Sequence, residues 1–426
     1  MKNSKLSKKS IINYSLIAIP LALIGFPLYI YLPTFYVKDI GIDIGLVGIL
    51  LFIARLTDVF TDPFFGNLSD RTLEYFNSRK PMMILGSLIL VISFYFLINP
   101  NLEYTKIWLL IFSILIYIGW SMINIPYLTW SSEISLNYKD KTVLNSSREL
   151  FTIIGVLIAL LLPYILQISG NPKKTLDILF LSFLVLFIPL FFISMKTLKI
   201  QSRNITHNSK INNFKNLKSV YKKFSDLKTL QIAYFFNNFA NALPASLFLF
   251  FIEFYLKEKE SSGIILLLYF FSGVIALPFW NALSNKIGKK NSWISSIILA
   301  TSAFVFVPFL NEHDLNAFII ISLISGLSLG ADMAMPTAMQ SDLTQRISSH
   351  EKNITGFIFG IWTMITKLSI AFAIAFSFII LELFKFNSNN PSDESLIVLS
   401  LLYGFLPVCL KLISIFFISK YKDNNY

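Results

Sequence analysis

Apolar stretches of about twenty residues alternate with short polar connectors along the 426-residue chain, and a helix of that length crosses the hydrocarbon core of a bilayer. Twelve such helices are predicted, near residues 11–36, 42–66, 81–99, 106–132, 147–169, 174–196, 227–256, 262–284, 292–310, 315–341, 354–381 and 393–419. The pattern therefore predicts an all-α membrane protein.

A polar segment divides the predicted helices six and six. We expect an N-terminal six-helix bundle over 1–196, a cytoplasmic central loop over 197–226 and a C-terminal six-helix bundle over 227–426. The loop after the second helix of each half is similar, "GNLSDRTLEYFNSRKP" in one and "NALSNKIGKKNSW" in the other. Such an internal repeat is typical of transporters built from two related bundles around a central site.

Composition and charge support a membrane setting and exclude several other classes. Hydrophobic residues make up 55% of the chain and charged residues 14%, against about 25% charged in soluble proteins. The net charge of +12 comes from basic residues in the connectors, so we expect a lipid bilayer as partner and no nucleic acid. Nothing resembles a phosphate-binding loop, a nucleophile–His–acid set or a metal cluster, which predicts no enzyme and no cofactor. We expect a monomer.

The distribution of lysine and arginine predicts the orientation. Of the 36 basic residues, 26 fall on the side that carries both termini and the central loop, and seven fall on the other side. Basic residues favour the cytoplasmic side. We therefore expect both termini in the cytoplasm and a bacterial inner-membrane location. The central loop is too short for a nucleotide-binding domain, so an ion gradient would have to drive any transport of a small-molecule substrate.

The second predicted helix carries three charges in the stretch "RLTDVFTDP". Arg55, Asp58 and Asp62 lie on one helical stripe, and an unpaired charge at the centre of a membrane costs about 2.5–3.5 kcal/mol. The carboxylates repel each other unless a cation or proton lies between them, and Arg55 can neutralise only one. The stretch predicts a binding site for Na⁺ or H⁺; the alternative is a salt bridge to a neighbouring helix.

Other polar groups within the predicted helices are candidates for binding substrate. Trp120, Asn124 and Tyr127 share one face of the fourth helix, where they either contact a ring-bearing solute or, for the aromatic residues, pack against neighbours. Asn241 in the seventh helix either binds substrate or joins helices. Lys367 in the eleventh helix either balances interior acids or reaches towards the membrane surface.

Asp332 in the tenth helix is a further intramembrane charge, and Lys367, at a comparable depth in the neighbouring helix, is a candidate partner. It serves either as a structural bridge that balances charge or as a second coupling acid. At the inner face, Asp70, Arg71, Arg79 and Lys80 are predicted to form a cytoplasmic gate through charge contacts with helix ends.

The second-helix motif resembles the signature of the glycoside–pentoside–hexuronide:cation symporters, the melibiose-carrier branch of the major facilitator superfamily. The matching positions are Arg55, Asp58, Asp62, Pro63, Gly66, Asp70, Arg71, Arg79, Lys80 and Pro81. Three further segments are similar to spans four, five and eleven of that family: "SMINIPYLTWSSEIS", "SRELFTIIG" and "GFIFGIWTMITKLSIAFAIAF".

The resemblance implies the major facilitator fold and the coupled movement of a solute with Na⁺, Li⁺ or H⁺. It implies Asp58, Asp62 and Ser121 as cation ligands, with Asp58 and Asp62 holding the metal ion if the coupling ion is Na⁺. It also implies a role in substrate binding for Arg148 and Lys367.

The chain departs from the family where melibiose-type carriers have acids that hold sugar hydroxyls, because Ala22 and Asn124 stand at those positions. We therefore expect cation-coupled symport of a small polar solute, possible substrates including a sugar or glycoside. The alternative function is proton-coupled export of amphiphilic compounds.

Overall fold

A computed structural model of the protein describes residues 6–135, 137–168, 171–197, 213–349, 354–386 and 391–422, and all regular elements in those ranges are helical. The α-helices are α1 Lys8–Ser15, α2 Ala18–Lys38, α3 Ile44–Phe76, α4 Lys80–Ile98, α5 Thr105–Glu133, α6 Tyr138–Ile165, α7 Pro172–Thr197, α8 Asn213–Lys223, α9 Ser225–Phe250, α10 Ser262–Phe304, α11 Leu315–Ser348, α12 Thr355–Leu383, α13 Asp393–Ser400 and α14 Leu406–Lys420. The prediction of an all-α protein is confirmed.

The predicted membrane spans fall on helical parts of the chain, the first on α1 and α2 together and the last on α13 and α14 together. Within the described residues, nine helical segments are long and apolar enough to cross a bilayer. Several helices extend beyond the apolar stretch that predicted them. α3 continues to Phe76 and α6 begins at Tyr138, so polar residues expected in connectors are helical. Hydropathy marks only the part of a helix inside hydrocarbon, whereas backbone hydrogen bonding continues into the polar ends.

The connector predicted between the eighth and ninth spans is reduced to one residue in the structure. α10 runs through both spans and is interrupted at Gly288, which has φ 87° and ψ 160°. Glycine adopts a positive φ without steric cost, so the chain can turn there without a longer loop. The sequence "IGKK" carried this signal, although the prediction placed a broader break.

The chain divides into two compact units. The first comprises Met1–Leu217 together with Thr344–Met364, and the second comprises Lys218–Leu343 and Ile365–Tyr426. An apolar core in the first unit contains Tyr14, Phe94 and Trp130. In the core of the second unit, Phe251 and Tyr403 stack with ring centroids 4.2 Å apart.

Two π-helical turns extend the long helices of the second unit, at Phe251–Tyr255 after α9 and at Leu401–Phe405 between α13 and α14. The stacked rings of Phe251 and Tyr403 belong to these two turns, so aromatic packing accompanies the local widening of both helices.

Candidate cation and substrate sites

Asp58 and Asp62 of α3 face Ser121 of α5. The hydroxyl oxygen of Ser121 lies 3.1 Å from Oδ1 of Asp58 and 2.7 Å from Oδ1 of Asp62. The three residues are 3%, 0% and 1% exposed, respectively. The helical spacing of four residues brings both carboxylates to one side of α3, and α5 supplies the third oxygen. The structure thus brings together the residues predicted as cation ligands.

The hydroxyl group of Ser121 carries only one hydrogen atom, so it can donate to only one of the two carboxylates at a time. The other close contact joins two acceptor oxygens. Such a contact is favourable when a proton resides on the carboxylate or a cation lies beside the oxygens. The three oxygens therefore converge in a cluster whose chemistry fits H⁺ or a hard cation such as Na⁺.

Arg55 contributes one positive charge to this cluster. Its Nη1 lies 3.2 Å from Oδ2 of Asp58, and its side chain is 24% exposed against 1% for Asp58. The guanidinium also lies over the ring of Tyr117, 5.1 Å from the centroid. One arginine offsets one carboxylate, as the sequence predicted, and the ion pair engages the Asp58 oxygen that faces away from Ser121.

The first turns of α12 pack against α3 through glycines. A Cβ atom on Gly66 would lie 2.4 Å from the carbonyl oxygen of Gly356, and a Cβ atom on Gly360 would lie 2.6 Å from the carbonyl oxygen of Asp62. Real Cβ contacts are essentially never this short. Only glycine therefore permits this approach of the two backbones, and one of the contacts reaches a residue of the cation cluster.

Asp70 of α3 binds the N-terminus of α12 directly. Its Oδ1 accepts a hydrogen bond of 2.7 Å from the backbone N–H of Gly356, and its Oδ2 accepts one of 2.8 Å from that of Phe357. The first N–H groups of a helix have no partner within the helix and carry partial positive charge. Asp70 thus supplies the contact with a helix end that was predicted for the cytoplasmic gate.

Arg79, at the start of α4, links Asp70 to Glu133 at the end of α5. Its Nη2 lies 2.8 Å from both Asp70 Oδ1 and Glu133 Oε1, and its Nη1 donates to Ser69 Oγ at 2.7 Å. Burial disfavours the charged guanidinium, but the carboxylates of Glu133 and Asp70 outweigh that effect and raise the pKa of Arg79 above its ordinary value. The guanidinium of Arg79 therefore stays charged despite its burial.

The other two residues predicted for the gate lie elsewhere. Lys80 donates a hydrogen bond of 2.5 Å to the carbonyl oxygen of Met195 near the end of α7, and Arg71 is exposed. Of the four predicted residues, Asp70 and Arg79 are the pair that the structure brings together.

The corresponding loop of the second half carries a similar buried ion pair. Lys289, in the repeated "IGKK" stretch, lies 2.5 Å from Asp342 of α11, and the lysine side chain is fully buried. The local sequence similarity between the two loops is thus matched by a basic residue at the start of the following helical segment that contacts a carboxylate.

The three residues of the predicted aromatic face on α5 differ in how deeply they are buried. Trp120 and Asn124 are half-buried, whereas Tyr127 is buried and packs on Tyr14 with ring centroids 4.9 Å apart. Tyr127 thus lies in the core, as in the packing alternative of the sequence prediction. Trp120 also borders α2, because a Cβ atom on Gly25 would lie 3.2 Å from its ring. Trp120 and Asn124 are the better placed of the three to contact a solute.

Arg148 of α6, predicted to bind substrate, is buried and forms an ion pair with the neighbouring Glu149. A buried charge is tolerated when a partner of opposite sign is close. The positive charge that the resemblance implied is therefore locally compensated by a carboxylate.

In the second unit, Asp332 of α11 forms its ion pair with Lys411 of α14, at 2.8 Å, rather than with Lys367 as expected. Asp332 Oδ1 also accepts hydrogen bonds of 3.2 Å from Trp293 Nε1 and Ser296 Oγ of α10. Lys367 of α12 is buried. Helix depth alone could not distinguish the two lysines, because the choice depends on which helices are neighbours.

Asn241 of α9, a predicted substrate residue, donates a hydrogen bond of 3.3 Å to Asp332 Oδ2. The neighbouring Asn237 accepts one of 3.2 Å from Lys411 Nζ. Asp332 is thus the centre of a polar cluster that joins α9, α10, α11 and α14.

Sequence reasoning missed Glu133, Glu149 and Lys411 as partners. Acids at the ends of predicted spans are common beside polar connectors and gave no signal. Lys411 did give one, because a lysine in the middle of an apolar helix requires a partner or a path to water.

The long apolar helices of the described residues and the family to which the chain belongs indicate an integral membrane protein. The family described as MFS/sugar transport protein matches residues 13–425, and the chain belongs to this family. It falls in the glycoside–pentoside–hexuronide branch of the major facilitator superfamily, whose signature the second helix resembles. Proteins of this family are transporters and not enzymes.

Three relatives illustrate the range of the similarity. A 157-residue stretch is 34% identical to an uncharacterized symporter of Synechocystis sp., covering 34% of this chain and only 28% of that protein. The glucuronide carrier protein homolog of Escherichia coli is 20% identical over 80% of this chain and 76% of its own length. The sodium-dependent lysophosphatidylcholine symporter 1-A of Danio rerio is 22% identical over 92% of this chain and 81% of its own length.

Solved structures share the fold across nearly the whole chain. A bacterial homologue of the iron transporter ferroportin has a TM-score of 0.72 at 13% identity, covering 96% of this chain and 99% of that one. A fucose:proton symporter of E. coli has a TM-score of 0.71 at 12% identity, covering 98% and 100%. The predicted major facilitator fold is thus confirmed.

Proposed function

We propose that this protein is a symporter that moves a small polar solute together with Na⁺ or H⁺ by alternating access. The observation that carries the proposal is the convergence of Ser121 Oγ on Asp58 Oδ1 at 3.1 Å and Asp62 Oδ1 at 2.7 Å, within a buried cluster. Carboxylate and hydroxyl oxygens are the ligands that hard cations prefer, and a carboxylate is also a proton acceptor.

Binding of the cation would reduce the repulsion between Asp58 and Asp62 and so change the relative energies of the transport states. A ligand shifts such an equilibrium only by its differential affinity for the two states. The close contact between Gly360 and the carbonyl oxygen of Asp62 supports a coupling of the cation site to α12, because a movement of this part of α3 would displace the first turns of α12. The cation-loaded protein then accepts solute from outside.

The solute is proposed to be a hydroxyl-rich compound such as a glycoside. Relatives named for a glucuronide and for isoprimeverose support this class, as do the half-buried Trp120 and Asn124, an aromatic surface beside an amide. An amphiphilic solute is the second candidate, supported by the relative named for lysophosphatidylcholine. We further propose a monomer in the bacterial inner membrane with both termini in the cytoplasm.

The test is uptake by the full-length protein in proteoliposomes, with methyl glucoside, methyl glucuronide, a xylose-containing disaccharide and lysophosphatidylcholine as probes. Each probe is supplied with an inward Na⁺ gradient, an inward H⁺ gradient or no gradient. We expect one probe to accumulate only with one of the gradients, and Asp58→Asn and Asp62→Asn to abolish the accumulation. Asp177→Asn, which changes a half-exposed carboxylate of α7, is the matched control and should transport normally.

Two results would overturn the proposal. Accumulation that is independent of both gradients, or unchanged in both aspartate variants, would remove the cation site from the mechanism. Depletion of a preloaded probe by an inward H⁺ gradient would identify the protein as an exporter of that compound, which is the alternative predicted from the sequence.

A further inference from the structure

The carboxylate of Asp332 has four hydrogen-bond donors around it. Trp293 Nε1 donates to Oδ1 at 3.2 Å, while Lys411 Nζ at 2.8 Å and Asn241 Nδ2 at 3.3 Å donate to Oδ2. The hydroxyl of Ser296 lies 3.2 Å from Oδ1, and its single hydrogen is shared with the nearer carbonyl oxygen of Trp293 at 2.8 Å. A carboxylate offers about four acceptor positions. Donors from the protein, among them the ammonium group of Lys411, therefore engage both oxygens of Asp332. Its role is to position its neighbours.

The ion pair fixes the orientation of two amide groups on α9. Lys411 Nζ has only hydrogens to donate, so the atom of Asn237 that faces it, at 3.2 Å, must be the carbonyl oxygen. The carboxylate of Asp332 accepts only, so the atom of Asn241 that faces it must be the amide nitrogen. An amide has an oxygen at one end and nitrogen at the other, and the charged partners settle which is which.

The remaining ends of these two amides are complementary. The NH₂ group of Asn237 donates no hydrogen bond to the described residues, and the residue is 0% exposed, so water does not reach it either. Asn241, one helical turn further along, keeps its carbonyl oxygen. A buried NH₂ group without an acceptor is unfavourable, so a ligand that supplies an acceptor oxygen there would be favoured.

Asn238 adds a second donor at the same turn of α9. Its Nδ2 atom is buried and likewise donates no hydrogen bond within the described part of the chain. The three asparagines thus place their amide groups along one stretch of α9, and the ion pair of Asp332 and Lys411 holds two of them by hydrogen bonds. Since the charges of Asp332 and Lys411 offset each other, this part of the protein favours a neutral ligand group over a charged one.

We propose that Asn237, Asn238 and Asn241 form a substrate subsite in the C-terminal half that binds a neutral hydroxyl group of the solute. Asn237 and Asn238 donate to the hydroxyl oxygen and Asn241 accepts its hydrogen, with Asp332 and Lys411 as positioning residues. The inference rests on the proposed transport of a hydroxyl-rich solute. It adds which residues bind the hydroxyl group and what fixes the orientation of their side-chain amides.

The test measures binding at equilibrium, without any ion gradient, so that a failure of cation coupling does not affect it. The purified protein is titrated with methyl glucoside, methyl xyloside and methyl glucuronide, and then with the monodeoxy analogues of whichever binds. We expect one analogue to bind about 3- to 10-fold more weakly than its parent, as the loss of one hydrogen-bonded hydroxyl predicts.

The variants then locate the hydroxyl. Asn237→Asp keeps the oxygen that faces Lys411 and removes the NH₂ donors, and Asn237→Leu keeps the approximate shape. In both, the parent compound should bind about 3- to 10-fold more weakly, and the penalty of the deoxy analogue should become smaller, because only the contacts with Asn238 and Asn241 remain. Asn291→Asp, at an exposed amide of α10 that donates to the carbonyl oxygen of Ile287, is the matched control.

Two outcomes overturn the subsite. If the deoxy penalty is as large in the Asn237 variants as in the wild type, the hydroxyl is bound elsewhere. If none of the three glycosides binds to the wild-type protein, the hydroxyl-rich class itself is wrong, whereas cation coupling can still be established with lysophosphatidylcholine as the probe. Should one Asn237 variant fail to fold, the other decides.

Discussion

Gly360 of α12 lies directly on the backbone of Asp62 in α3. A Cβ atom on Gly360 would be 2.6 Å from the carbonyl oxygen of Asp62 and 3.0 Å from Cα of Pro63. Asp62 of the proposed cation site therefore contacts α12 through its main chain and Ser121 of α5 through its side chain. The contact explains how occupation of a small polar cluster could influence a long helix.

Gly360→Ala should slow transport, because the added methyl group forces the backbones apart, and overpacking of this kind costs about 1–3 kcal/mol. We expect a several-fold lower rate of gradient-driven uptake and a lower midpoint of thermal unfolding in detergent. Gly263→Ala, where an added Cβ would meet nothing within 4 Å, is the control. Equal behaviour of the two variants would show that the close approach is dispensable.

Ser121→Ala should weaken the affinity for the coupling ion. The change removes one ligand and the hydroxyl hydrogen shared by the carboxylates, and a hydrogen bond to a charged group contributes about 1.5–3 kcal/mol. The ion concentration for half-maximal uptake should rise about tenfold or more, while the maximal rate is largely kept. Ser113→Ala, on the same helix at a buried hydroxyl without a hydrogen bond among the described residues, should leave the ion dependence unchanged.

Arg79→Gln should destabilise the protein far more than Arg71→Gln. Arg79 is fully buried between Asp70 and Glu133, and removal of one partner of a buried ion pair costs about 3–5 kcal/mol because the remaining charges are left uncompensated. Arg71 is exposed, so its substitution tests only the loss of one positive charge. Thermal unfolding in detergent separates the two, and similar midpoints would show that the network contributes little.

Asp332→Asn and Lys411→Met should each be more damaging than the two substitutions combined. Either single change leaves one unpaired charge in the interior of the second unit, whereas the double variant leaves none. The comparison is made on thermal unfolding, with Lys286→Met at an exposed position as the control. If the two effects simply add, the residues do not act as a pair.

The helices could be predicted from sequence because the hydropathy and length of an apolar stretch are local properties that decide whether it can cross a bilayer. The convergence of Asp58, Asp62 and Ser121 was also within reach, since two of the residues share one helix and the third came from the resemblance. Pairings between distant helices were not predictable. The partner of Asp332 was expected to be Lys367 and is Lys411, because side-chain depth is readable from sequence and helix adjacency is not.

The contact of Asp70 with the first N–H groups of α12 lies between these cases. A carboxylate near a helix N-terminus is a favourable arrangement that the sequence suggested in general terms. Which helix it would cap depended on glycines at positions 66, 356 and 360, whose close approach becomes evident only in three dimensions.

The most direct test of the central claim is to count the cations that the purified protein binds. Wild type and the double variant Asp58→Asn, Asp62→Asn are titrated calorimetrically with Na⁺, and separately with acid from about pH 9 to about pH 5 in the absence of Na⁺, the range in which an ordinary ion-paired aspartate would stay ionised. The account predicts that wild type takes up one Na⁺ or one proton per chain that the variant does not. Equal uptake by the two proteins in both titrations would contradict it.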